Sequence, residues 1–393
     1  MAQEHYNPIP VKRDRVRPDD VEIGRPIPFD IEDAYGRVLV ARGQVVKTPQ
    51  QQQRLLQIGR TPYHTASRRQ TGGVSERGIS GNGMDLDPFS EIYHLSMTLQ
   101  QAFKNLGQGK GRFLQRLDGL LSRIGDLVER DPDAAVGAAH LDEEFPYSVR
   151  HPLRQALLCD IVGHYLDISD GERRAVVSAA LTANVGMLDL EAQLEKQDAP
   201  LTKEQTAALR QHPLRSVELL RAEEVEDPEW LRIVAEHHER MDGSGYPNGL
   251  QGDRICLGAR LLAIADTYMA MVSNRAYRPA NAVRDALLEL LDQSGSIYDR
   301  KLLSKLIQTI GIYPAGSLVA LDNSERGVVI RRGKESTKPL VAVIIKANGE
   351  RTARPLLRDT SLADTPDVES LLPPSAITTR LNLAALWGYG SSQ

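Results

Sequence analysis

Cysteine is nearly absent from this chain: Cys159 and Cys256 are its only two, far apart and each set in an apolar stretch. That excludes a disulfide framework and a Cys-type zinc site, and it fits a reducing cytoplasm. Also missing is any run of about eighteen apolar residues of the kind that spans a bilayer. The first residues, MAQEHYNPIPVKRDRVRP, contain no signal-peptide core. The expectation is therefore a cytoplasmic protein, neither inserted in a membrane nor secreted. Nor does one sign of charge dominate. A net charge of −4 gives no basic field for bulk nucleic acid. What remains is 41% hydrophobic and 25% charged residues, the balance of a globular protein, in 393 residues. That length is too great for one ordinary core.

The chain reads as five regions. Residues 1–18 are polar and proline-punctuated, a flexible N-terminus. A small α/β module over 19–65 contains FDIEDAYGRVLVARGQVV, whose alternation and glycines predict short strands joined by turns. Thr48 and Pro49 then cap and open a short helix ending at Gly59. Residues 66–88 hold five glycines and few apolar residues, a flexible linker. Helical signals dominate 89–314. Leu153, Leu157 and Ile161 make an apolar stripe, Ser169 with Glu172 and Thr202 with Gln205 have capping-box spacing, and Asp227–Pro228 starts a further helix. Beyond it, SLVAL, GVVIRR and PLVAVIIK predict a small β appendage within 315–393. The fold class is mostly α, with a small module at each end.

Histidines and one aspartate carry the chemistry. His151 and His212 each precede a proline at a predicted helix start, while His237 and His238 stand side by side at a helix end. Adjacent helical side chains diverge by about 100°, so the pair cannot share one core slot but can flank a common point. Any single histidine can equally be a surface or satisfied core residue. Asp266 shares the apolar face of its helix with Ala259, Leu262, Ala263 and Ala270. A carboxylate there needs a cation, a buried salt bridge or strong donors. Four histidines and one acid make a metal cluster the better account, and nitrogen and oxygen ligands suit iron, manganese or zinc.

The stretch HHERMDGSGYPNGLQGDRICLGARLLAIADTYMAMVSNRAYRPA, over 237–280, closely resembles the signature half of HD-GYP domains. YSVRHP, AALTANVGMLDL and LTKEQTAALRQHPLRSVELL fall upstream in the family's order, so the resemblance covers roughly residues 110–345. It implies an all-helical, metal-dependent phosphohydrolase domain acting on cyclic di-GMP. By motif, His151, His212, His237, His238 and Asp266 are the implied metal ligands. Asp242, Gly243, Gly245, Tyr246 and Pro247 fall on the turn that shapes the nucleotide pocket, with Arg275 and Arg278 as phosphate or guanine contacts. The Gly-Tyr-Pro turn can alternatively be a rigid loop without ligand duty, and the two arginines surface salt-bridge formers.

Where the family reads LLHDIGK, this chain reads LTANVGM. Ala183 replaces the histidine, Asn184 the aspartate and Met187 the lysine, so the catalytic positions are degenerate. The resemblance implies one metal position drawing on His151, the lost histidine, the bridging acid and Asp266, and a second drawing on the bridge, His212, His237 and His238. The expectation is one divalent ion or none rather than a binuclear centre. Loss of a bridge carboxylate and a lysine removes the charge balance that phosphodiester attack needs. The function expected is a cyclic di-GMP effector or scaffold with impaired or lost phosphodiesterase activity. The alternatives are a residually active phosphodiesterase, or a protein that docks a partner such as a diguanylate cyclase without nucleotide. An oligomer is compatible with any of these.

Overall fold

The computed structural model describes most of 87–389, apart from 108–111, 142–143, 198, 274–282, 334, 374–375 and 377–380. Before that it describes 14–16, 21, 23–24, 27, 31–32, 38–41, 44–58 and 60–61. The chain divides into two compact units, one spanning Asn7–Asp85 and one Leu86–Gln393 together with Met1–Tyr6. Most of the expected N-terminal tail and residues 66–86 of the Gly-rich linker lie outside the described residues, as do Gly59, Arg275 and Arg278.

In the smaller unit, β1 (Asp14–Arg15), β2 (Ile31–Glu32), β3 (Val38–Val40) and β4 (Arg60–Thr61) form an antiparallel sheet ordered β1-β4-β2-β3. Helix α1 (Pro49–Ile58) lies between β3 and β4 in sequence, and the Thr48 hydroxyl accepts the Gln51 amide at 3.2 Å in its first turn. Val16, Val21, Ile27, Ile31, Val46 and Leu55 make its core.

The larger unit begins with α2 (Pro88–Lys104), α3 (Arg112–Arg130) and α4 (Pro132–Leu141). At its centre runs α5 (Tyr147–Gly163), against α6 (Asp170–Thr182) and α10 (Leu257–Met271). The sequence suggested one apolar stripe on α5, but Ala156, Leu158 and Val162 are buried as well as Leu153, Leu157 and Ile161. A helix enclosed by neighbours on all sides buries every face. The same enclosure takes in His151, Arg154, Gln155 and Asp160. A 3-10 turn (Val185–Met187) and α7 (Leu188–Leu194) lead to α8 (Lys203–Ala222) and α9 (Pro228–Glu236), and α11 (Val283–Asp292) and α12 (Arg300–Ile310) close the helical body. Both expected capping boxes are formed, Ser169 with Glu172 and Thr202 with Gln205. The stretch Asp170–Leu194 has the length and hydropathy of a membrane span, yet 72% of its apolar window is buried within this body.

His151 and His212 do not stand at helix starts. Pro152 and Pro213 lie inside α5 and α8, because Thr202 opens α8 well before the histidine and Pro146 caps α5. A proline inside a helix removes the amide that would meet the carbonyl four residues back. The site uses one of the carbonyls thus released.

At the C-terminal end, β5 (Leu318–Leu321), β6 (Arg326–Arg331), β7 (Leu340–Ile345), β8 (Arg351–Asp359) and β9 (Val368–Leu372) form an antiparallel sheet ordered β8-β7-β6-β5-β9. Leu318, Val328, Ile330, Ala342 and Ile344 join the helical core, while Val319, Leu321, Val329, Val341 and Val343 form a separate cluster. Polar β8, with Pro355 inside it, was not legible as a strand. It lies at the sheet edge, where a missing amide costs no ladder bond. Arg331 on β6 grips buried Asp131 with two hydrogen bonds of 2.8 Å, and Tyr389 donates to the same carboxylate at 2.6 Å. The sheet is thereby pinned to the start of α4.

Candidate functional site

Helix α9 ends at Glu236, so His237 occupies its cap and His238 falls beyond it. At this helix end the two rings draw together, their centroids 4.1 Å apart. His212, from the middle of α8, meets both at 5.2 and 5.0 Å. Each of the three offers a nitrogen, and these nitrogens lie within 4.8 Å of one another.

The backbone decides which nitrogens face inward. Pro213 leaves the Leu209 carbonyl without its usual amide, and His212 Nδ1 donates to that oxygen at 2.6 Å. His237 Nδ1 donates in the same way to the Val234 carbonyl, orphaned at the end of α9, at 2.7 Å. A carbonyl only accepts, so both rings carry their proton on Nδ1 and turn a bare Nε2 lone pair inward. Those two Nε2 atoms stand 3.2 Å apart. Two acceptors that close repel unless a cation lies between them. A divalent ion bonded tetrahedrally to two imidazoles at about 2.0–2.1 Å sets their nitrogens about 3.3 Å apart. The triad therefore fits a divalent metal.

Burial acts in the same sense. It lowers the pKa of His212 to about 3, with the neighbouring His237 adding to the shift. Burial also lowers His237, and it brings His238 well below the ordinary range. Neutral imidazole is the form that binds metal.

The opposite wall is built differently. His151 Nε2 contacts Asp266 Oδ1 at 2.8 Å, and Gln155 Nε2 donates to the same oxygen at 3.3 Å. Gln155 sits one helical turn after His151 and is 1% exposed. Burial alone would raise the Asp266 pKa, but the His151 hydrogen bond and the nearby imidazoles hold it well below the usual carboxylate range. Ala183 is buried and Asn184 caps the 3-10 turn, 5% exposed, with a side-chain oxygen that meets no hydrogen-bond partner. Met187 is half-buried. Ser216 of α8 clamps this turn by donating to the Ala183 carbonyl at 2.7 Å and accepting the Gly186 amide at 2.9 Å. The 183–187 segment is thereby tied to the helix that carries His212.

The loop after the histidine pair closes the pocket. Tyr246 stacks on His238 at 4.8 Å between centroids, and the Arg210 guanidinium lies 4.9 Å from the Tyr246 ring centre. The Tyr246–Pro247 peptide is cis, and Gly243 has a φ of +84°. A methyl group at Gly245 would stand 2.4 Å from the Arg240 amide nitrogen, so only glycine fits. Asp242 is exposed and accepts from Ser244, with its amide at 2.9 Å and its hydroxyl at 2.7 Å. Buried Glu239 accepts the Asn248 and Leu250 amides at 2.7 and 2.8 Å. The loop is braced from within.

Sequence reasoning missed Gln155, Arg210, Arg240 and Tyr298. For Gln155 a signal existed, since it stands four positions after His151 in an apolar helix. The arginines gave none, because a lone arginine is ordinarily a surface residue.

A family model for the HD domain matches residues 138–302. A cyclic di-GMP phosphodiesterase of Pseudomonas aeruginosa is 26% identical over 268 residues, 66% of this chain and 64% of its own. A cyclic di-GMP phosphodiesterase response regulator of Xanthomonas campestris is 31% identical over 51% of this chain and 53% of its own. A 3'3'-cGAMP-specific phosphodiesterase of Vibrio cholerae is 28% identical over 44% and 38% respectively. The chain thus spans less than two thirds of the length of these relatives. Among solved structures, an HDG"Y"P protein of Bdellovibrio bacteriovorus aligns over 74% of this chain and 97% of its own, with a TM-score of 0.47 and 13% identity. Residues 138–302 thus match the HD domain, in a chain that is similar over part of its length to phosphodiesterases of cyclic di-GMP and cGAMP.

Proposed function

We propose that this protein binds cyclic di-GMP or a related cyclic dinucleotide, holds one divalent ion on His212, His237 and His238, and acts as an effector or scaffold with impaired or lost phosphodiesterase activity. The observation that carries this reading is the contrast within the pocket. Three neutral imidazoles retain ligand geometry, while the wall facing them offers Ala183 and Asn184 where the family places a histidine and a bridging aspartate. The expected ion is iron, manganese or zinc.

Such an ion, when bound, supplies Lewis acidity toward a phosphoryl oxygen and lowers the pKa of a water. The chain's own part is to hold the Nε2 atoms of His212 and His237 and one ring nitrogen of His238 toward one point, with Tyr246 stacked on His238. Asp266 is the acid available to take a proton, yet its Oδ1 already accepts from His151 and Gln155. A carboxylate so engaged is a poor general base. Asp242, Gly243, Gly245, Tyr246 and Pro247 would form the nucleotide-facing rim, joined by Arg275 and Arg278. The 19–65 module would receive or pass on the signal.

One observation favours a second reading, a slow phosphodiesterase. The buried and unpartnered Asn184 oxygen is a neutral ligand at the position of the family's bridging acid. Calorimetry of the manganese-loaded protein with cyclic di-GMP, beside a hydrolysis assay, separates the two. Micromolar-range binding with negligible turnover is expected. Turnover that disappears in His237→Ala would support the slow enzyme, and absence of both binding and turnover would refute the nucleotide reading.

A further inference from the structure

Arg240 follows the imidazole pair by two positions, and its guanidinium carbon lies 5.0 Å from the centre of the Tyr298 ring. That ring is held in place, since the Tyr298 hydroxyl donates to Thr267 Oγ1 at 2.9 Å and Thr267 donates to the Ala263 carbonyl at 2.9 Å. Thr267 is the neighbour of Asp266 on α10. The guanidinium thus lies against a ring tied to the neighbour of Asp266. Two positions after His238, the Arg240 backbone nitrogen would stand 2.4 Å from a methyl group at Gly245, so the residue abuts both the imidazole pair and the loop.

Its hydrogen-bonding capacity is not used up. Arg240 Nη1 is buried and meets no hydrogen-bond partner among the described residues. Asp242, the acid of the adjoining loop, is already engaged by Ser244. A guanidinium keeps its charge at any pH the fold survives, and a charged donor left unmet in a buried position is unfavourable. Such a donor is satisfied by an anion, and planar guanidinium matches phosphate oxygens in shape. Met187 brings no cation to the opposite wall. Arg240, two positions beyond His238, is a described cation with an unmet donor beside the imidazole pair.

We propose that Arg240 is an anion contact of this pocket, its Nη1 donating to a non-bridging oxygen of a phosphodiester lodged against the imidazole triad. The identity of the phosphodiester as a cyclic dinucleotide rests on the reading given above; the anion contact itself requires only phosphate.

The test uses the full chain loaded with manganese, with two probes. Inorganic phosphate is followed by paramagnetic broadening of its phosphorus resonance, and cyclic di-GMP is followed by calorimetry. Arg240→Met is expected to abolish the phosphate broadening and to weaken dinucleotide binding by about tenfold to a hundredfold, with manganese content unchanged. Arg240→Lys keeps the charge but not the planar fork, and is expected to fall between the two. If Arg240→Met does not fold or does not hold manganese, the lysine variant decides: weakened binding supports the contact, and wild-type binding overturns it. Both variants binding both probes as the wild type does would also overturn it. Arg240-dependent phosphate broadening without any cyclic di-GMP binding would remove the dinucleotide reading and leave the anion contact standing.

Discussion

The two walls of the pocket solve the same problem, buried polar groups, in opposite ways. On the α8–α9 wall, backbone carbonyls released by Pro213 and by the end of α9 take the Nδ1 protons of His212 and His237, so two lone pairs converge at 3.2 Å. That arrangement is unfavourable until a cation joins it. On the α5–α10 wall, Asp266 finds its compensation inside the protein, from His151 and Gln155. One wall is left incomplete for a ligand. The other compensates its carboxylate internally, while the side-chain oxygens of Gln155 and, beside the 3-10 turn, of Asn184 meet no hydrogen-bond partner. Ligand geometry thus depends on what fixes the second nitrogen of each imidazole as much as on which residues are present.

The largest effect is expected from making the walls alike. Ala183→His combined with Asn184→Asp restores an imidazole and an acid, and should raise the metal content from one to two ions per chain. Cyclic di-GMP hydrolysis should then rise by about a hundredfold or more. Metal analysis and a turnover assay check it; unchanged content would mean that the wall is closed by more than those two residues.

A middle-sized effect is expected at the loop. Gly245→Ala forces a methyl group to 2.5 Å from the Glu239 Cα and 2.4 Å from the Arg240 nitrogen. Overpacking of this kind costs about 1–3 kcal/mol, to be read as a lower Tm and as loss of the Tyr246 stack on His238.

A smaller, graded effect follows from acid. Burial lowers His212 to about 3 and His140, on α4 against Tyr268, to about 4. In the unfolded chain both titrate near 6.5. Between those values the unfolded state binds more protons, so stability falls as pH drops below about 6.5, by up to about 1.4 kcal/mol per pH unit for each buried histidine. The loss continues until the folded values are reached. Denaturant unfolding at pH 7 and pH 5 measures it, and bound metal should steepen it because protons then also displace the ion.

Much of this was legible in the sequence, for identifiable reasons. The capping boxes at Ser169 and Thr202 are local, so they are formed as read. The β-branched runs of β5, β6 and β7 announced themselves, whereas β8 is polar because its edge position leaves it exposed. The histidine pair was visible as a pair. What the sequence could not display was the tautomer logic, because it depends on which carbonyls a mid-helix proline and a helix end release. A histidine before a proline reads as a helix start, whereas Thr202 opens α8 earlier and leaves His212 mid-helix. Gln155 and Arg240 stayed hidden because their partners, Asp266 and Tyr298, are 111 and 58 positions away in the chain.

The most direct test is the metal stoichiometry of the purified wild-type protein beside that of His237→Ala. The account predicts one divalent ion per chain in the wild type and none retained in the variant. Two ions per chain, or an equal content in both proteins, would contradict it.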